Sequence, residues 1–127
     1  PLASDPGFVD ETNPAGGSVY CKYITKPVTL SATSNMIKVM FAGIVPITSD
    51  VEVYYKSYLT SGSKQYNDVP WIKIDNPEMT HSDGWVDYEF DAEDVPGFDV
   101  VAIKVVFTGT NSSAVPMIKD FRMIACV

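Results

Sequence analysis

Few residues in this 127-residue chain are of a type that does chemistry, and they are unevenly placed: one histidine, two cysteines, two tryptophans and a run of acids. His81 stands in Met79-Thr-His-Ser-Asp83, a polar turn. General acid–base or nucleophilic catalysis by imidazole would have to use it, with a carboxylate from elsewhere in the fold. Neighbours such as Ser82 and Asp83 carry little weight, because triads assemble in space from distant segments. No G-x-S-x-G elbow, H-E-x-x-H pair or glycine-rich phosphate loop occurs. A loop histidine without catalytic duty is the better reading, and a non-enzymatic chain is expected.

The acids are the most uneven feature. Asp75, Glu78, Asp83, Asp87, Glu89, Asp91, Glu93, Asp94 and Asp99 are nine of the 16 acids, in a stretch without Lys or Arg. Asp91, Glu93, Asp94 and Asp99 have the hard oxygen chemistry that Ca²⁺ prefers, but EF-hand spacing is absent. A solvated acidic loop, continuous with the outward face of a strand, outweighs metal binding. A basic surface on a partner is the third use for the same charges. No cofactor and no metal is expected.

Cys21 and Cys126 lie in the first and last strand-like segments, so a disulfide between them is geometrically open. Two small buried thiols are favoured over it, since two cysteines are no disulfide framework. Trp71, Trp85 and seven tyrosines are compatible with a platform for sugar rings. Packing and protein–protein contact make fewer demands on the same rings. Trp85 falls on the face opposite Val86, Tyr88 and Phe90, so it is either covered by a loop or exposed.

The elements that must position these residues read as strands. In Val51-Glu-Val-Tyr-Tyr-Lys-Ser-Tyr-Leu59, one face carries Val51, Val53, Tyr55 and Leu59, and the other Glu52, Tyr54, Lys56 and Tyr58. This period of two predicts a half-buried strand. Met36–Ile44, Trp85–Phe90 and Ile118–Ala125 alternate similarly, the last with Phe121, Met123 and Ala125 opposed to Asp120 and Arg122. Val100–Thr108 predicts a strand buried on both faces, with Lys104 its only charge. Val19–Thr25, Val28–Ala32 and Trp71–Ile74 are shorter candidates, and Ala92–Val95 could form a brief turn of helix. Breakers such as Pro27, Pro46, Ser61-Gly62-Ser63, Asp83-Gly84 and Pro96-Gly97 separate the runs. About eight short antiparallel strands predict an all-β sandwich of jelly-roll type over residues 19–127.

Residues 1–18 hold three prolines and three glycines and too little apolar bulk to order alone, which predicts a linker or docking arm. A chain opening Pro1-Leu-Ala-Ser-Asp-Pro-Gly7 is expected to be a segment of a longer or processed polypeptide. The formal net charge of −7 argues against nucleic acid and anionic membrane surfaces as partners.

Several stretches resemble a recurring domain: Tyr23-Ile-Thr-Lys-Pro-Val-Thr-Leu30, Val53-Tyr-Tyr-Lys56, Pro70-Trp71, and Phe98 leading to Ile103-Lys-Val-Val106. The closing Val115-Pro-Met-Ile-Lys-Asp-Phe-Arg122 is its most recognisable part. The pattern, over roughly residues 20 to 127, resembles β-sandwich domains of virion proteins of contractile-tailed bacteriophages, in baseplate, neck or fibre-attachment components. That resemblance implies a tail or baseplate assembly module located in the virion, assembled in the host cytoplasm, with other virion subunits and further copies of itself as partners. The Pro116-to-Asp120 strand also resembles galactose-binding-like jelly rolls, which keeps host-surface glycan recognition as the alternative. The expected contact residues are surface aromatics and loop acids: Tyr54, Tyr58, Trp85, Asp91, Glu93 and Asp94. The rings would anchor a partner and the acids would steer it.

Overall fold

The computed structural model describes residues 10–14, 17, 22–75, 80–109 and 116–126. Its strands are β1 (Lys22–Ile24), β2 (Val28–Ser34), β3 (Met36–Val45), β4 (Ser49–Tyr58), β5 (Ile72–Ile74), β6 (Ser82–Ala92), β7 (Phe98–Gly109) and β8 (Met117–Cys126). All pairings are antiparallel. One sheet runs β1-β7-β4-β5, with β2 also on β7, and the other runs β6-β3-β8. Among the described residues no helix is long and apolar enough to cross a membrane.

Strand β7 is the spine of the larger sheet, pairing from Ser49↔Gly109 to Tyr58↔Val100 with β4. On its other side β1 and β2 form one interrupted edge, pairing with Lys104–Val106 and with Phe98–Val101. Pro27 stands at the interruption, where an edge tolerates a residue without an N–H. Thr25 bridges the gap, its N–H reaching the Ile103 carbonyl at 2.9 Å while its Oγ1 accepts from the Ile103 N–H at 3.0 Å.

The core lies between the sheets. Ile37, Val39 and Phe41 of β3 and Tyr88 and Phe90 of β6 meet Val51, Val53 and Tyr55 of β4 and Val101, Ile103 and Val105 of β7. Phe41 stacks on Phe90 at 5.8 Å and tilts against Tyr88 at 5.6 Å. Gly43 makes room for that cluster: a Cβ there would lie 3.1 Å from the Tyr88 ring. The alternation predicted for Met36–Ile44, which sets Ile37, Val39 and Phe41 on one face, the shared face of Val86, Tyr88 and Phe90, and the two buried faces of β7 are thus observed.

Three local expectations are corrected. Ala92–Val95 is not helical; the described helical turn is a 3₁₀ turn at Tyr66–Asp68, closed by Gln65 and Asp68. Strand β4 is buried on both faces, because Tyr54 and Lys56 on its second face are covered. Strand β8 departs from strict alternation, since three steps from Arg122 to Lys119 oppose two from Met40 to Ala42. The extra residue is a bulge with Asp120 at φ 54°, and it turns both Ile118 and Phe121 toward the core.

Candidate binding surface

The outer faces of the two sheets each carry a tryptophan with lysine ammonium groups over its ring, and they differ in what covers it. On the larger sheet, Trp71 is 2% exposed. Lys56 Nζ lies 4.9 Å and Lys104 Nζ 5.0 Å from its ring centroid, and the two ammonium groups also sit 3.9 Å over Tyr66 and 4.8 Å over Tyr54. The register explains this meeting: Tyr54↔Lys104 and Lys56↔Ala102 put both lysines on the outer side of adjacent strands. Ala102, Val106, Tyr54 and Trp71 form a second small core there.

A strap from residues 10–14 closes this face. Trp71 N–H donates to the Thr12 carbonyl at 2.9 Å. Lys56 Nζ donates to the carbonyls of Pro14 at 2.9 Å and Tyr66 at 2.8 Å. Glu11, itself buried, receives Lys104 at 3.0 Å and Lys22 at 2.7 Å on one carboxylate oxygen, and its carbonyl accepts from Lys104 as well. Both buried ammonium groups are therefore satisfied by carbonyls and ring faces, and Lys104 by the Glu11 carboxylate as well. Burial pushes the Lys104 and Lys56 pKa values down, and Lys104 adds to the effect at Lys56. Burial also pushes the Tyr54 hydroxyl well up, helped by the Glu52 carboxylate. Tyr54, expected at the surface, is an interior residue because its own chain covers it.

On the smaller sheet the outer face is open. Trp85 on β6 is 47% exposed, and Lys119 Nζ of β8 lies 4.2 Å over its ring. Trp85 and Met117, itself half exposed, border a groove of about 560 Å³ with Tyr23, Phe107, Ile118 and Phe121. Lys119 and Asp120 are its charged members. Tyr23 of β1 meets Phe121 edge-on at 5.9 Å, so the groove is built where the edges of both sheets face one another. The bulge at Asp120 shapes this arrangement by re-aiming the residues before it, turning Ile118 toward the core beside Phe121 and Lys119 toward the outer face over Trp85.

The remaining expected contact residues are dispersed. Tyr58 is half-buried at the end of β4. Asp91 is exposed but belongs to strand β6 rather than a loop, six residues from Trp85 and so roughly 20 Å along the strand. Glu93 and Asp94 are exposed in the β6–β7 connection, Asp94 at φ 54°. The acids therefore do not join the aromatic groove. Among the described residues no three His, Cys, Asp or Glu side chains converge as metal ligands. Asp99 is instead bonded by Thr60 N–H at 2.8 Å and Oγ1 at 2.7 Å, which holds its carboxyl below the usual range. Glu78 lies outside the described residues.

His81 borders a separate hollow with Asp50, Ser49 and Thr108. Its Nε2 is 3.0 Å from the Ser49 carbonyl oxygen and 4.0 Å from Asp50 Oδ1. Cys126 is a free, half-buried thiol, and Cys21 lies outside the described residues.

Sequence reasoning missed Tyr23, Met117, Lys119 and Phe121 as groove residues. Their grouping depends on the bulge and on contact between two sheet edges, neither of which leaves a local period. In comparisons with known proteins, no family model matches the chain, and no curated protein matches it closely enough to define a relationship.

Proposed function

We propose that the chain is a non-enzymatic assembly module that docks on protein partners through the Trp85 groove. The observation that carries this reading is the groove itself. An exposed Trp and Met beside Tyr23 and Phe121 form an apolar concavity suited to an inserted side chain. We further propose a jelly-roll arrangement, since the chain passes between the sheets at β2–β3, β3–β4, β5–β6, β6–β7 and β7–β8. The virion setting rests on the resemblance to phage tail and baseplate domains, and the partners under it are other virion subunits.

Carbohydrate binding is the second reading, favoured by the same exposed Trp85. It fits less well, because Lys119 already occupies one face of the ring and few other polar groups face the groove.

Hydroxyl-radical footprinting of purified particles against the free chain tests the first reading. Trp85 and Met117 are expected to be labelled in the free chain and strongly protected in the particle. Absence of the chain from particles, or equal labelling in both states, overturns it. Selective binding on a glycan array, lost in Trp85→Ala, would replace it with the carbohydrate reading.

A further inference from the structure

Two long edges of the smaller sheet carry opposite charge. Strand β6, eleven residues long, presents Asp83, Asp87, Glu89 and Asp91, all exposed, and no basic residue. Strand β8, ten residues long, presents exposed Lys119 and Arg122, with Asp120 as its only acid. Each pairs with β3 alone, so the far edge of each is unpaired among the described residues. The register sets the charges in rows across β3: Glu89↔Met40↔Arg122 and Asp87↔Ala42 near Lys119. Within one copy the two columns are two strand spacings apart, roughly 10 Å, comparable to the Debye length at physiological salt. No ion pair joins them, and Arg122 has none among the described residues.

We propose that the β8 edge of one copy pairs with the β6 edge of a second copy, forming a head-to-tail homo-oligomer. This deepens, and rests on, the reading of the chain as an assembly module. A lateral repeat would bring Arg122 to one strand spacing, roughly 5 Å, from the neighbour's Glu89. Both β6 and β8 run antiparallel to β3, so they run parallel to each other and a repeat without rotation continues the rows. Like edges are excluded: β6 against β6 sets acid on acid, and β8 against β8 sets cation on cation. The two edges are matched in length. Such a heterologous contact closes into a ring or continues as a filament, according to its rotation.

The test is sedimentation of the full chain at low and high salt with a charge swap in one row. Wild type is expected to associate at low salt and to dissociate at high salt. Arg122→Glu and Glu89→Arg are each expected to weaken association about tenfold or more. Mixing the two variants should restore it. The double variant Glu89→Arg with Arg122→Glu keeps the net charge and should associate within about threefold of wild type. Circular dichroism checks that each variant is folded. A wild type that stays monomeric at millimolar concentration, or a double variant as weak as the single ones, overturns the proposal. If that monomer's Trp85 and Met117 are nonetheless protected in particles, edge pairing fails while the assembly reading stands.

Discussion

The two outer faces use the same chemistry to opposite ends. Lys104 and Lys56 sit over Trp71, and Lys119 sits over Trp85, so each face joins ammonium groups to an indole. On the larger sheet the chain covers the pair with its own strap, and Trp71 and both lysines lose contact with solvent. On the smaller sheet no described segment performs that service, and Trp85 remains open. A covered lysine must be matched group by group, as Glu11 and the Pro14 and Tyr66 carbonyls match these. An open one needs no such partners. The closed face is thus committed to stability, and the open face is available for binding.

Glu11 offers the largest test of this contrast. Glu11→Ala removes the carboxylate shared by Lys22 and Lys104 and leaves a fully buried cation short of a counter-charge. Breaking such a pair costs about 3–5 kcal/mol, and urea denaturation should show that loss. In a Trp85→Phe background the emission of Trp71 should shift to the red as the strap lifts. Removing the charge itself is different: Lys104→Met is expected to cost much less than Glu11→Ala, because Glu11 retains Lys22.

The tryptophans provide the next comparison. Trp71→Ala empties the second core and should cost about 3–5 kcal/mol. Trp85→Ala should change stability by no more than about 0.5 kcal/mol, as surface substitutions do. Equal losses at the two sites would dissolve the distinction between a closed and an open face.

Much of this architecture was legible in the residues, and the cover was not. Alternation located β3, β6 and the inward face of β4 as far as Tyr55, though not the exposed Leu59, and an apolar run located β7, because core-facing periodicity is a local property. Tyr54 and Lys56 looked solvent-facing for the same reason: their residue types and spacing suit an outer face. Their burial comes from Glu11, Thr12, Pro14 and Trp71, and the Glu11–Lys104 contact spans 93 positions. The groove was hidden in a similar way, since one bulge residue reverses the facing that strict alternation assigns to Ile118.

Alkaline titration separates the buried groups further. Tyr54, Tyr55 and Tyr88 have hydroxyl pKa values raised chiefly by burial. Their contribution is fully present below the unfolded tyrosine value of about 10 and is lost as pH rises through the folded values. Stability should therefore fall above about pH 10, by up to about 1.4 kcal/mol per pH unit for each tyrosine that ionises only when unfolded. Lys56 and Lys104 act with the opposite sign. Their lowered values make stability rise with pH up to the unfolded lysine value of about 10.4. Chemical denaturation from pH 8 to 11 checks both limbs, and Tyr54→Phe should flatten the downward one.

The smallest effect concerns the bulge that shapes the open face. Asp120 holds φ 54°, a left-handed conformation that Asp tolerates better than Ala because its short side chain bonds locally. Asp120→Ala should therefore destabilise the fold by about 1 kcal/mol. Asp120→Gly removes the Cβ conflict while adding freedom to the unfolded chain, so it should fall within about 0.5 kcal/mol of wild type. The order Gly above Ala, read from paired denaturation curves, is the signature of a left-handed position. With Ala as stable as Gly, the strand would have to pass Asp120 in extended form. Ile118 and Phe121 could then no longer share the inner face: Ile118 would turn outward, and Lys119 would leave the face of Trp85.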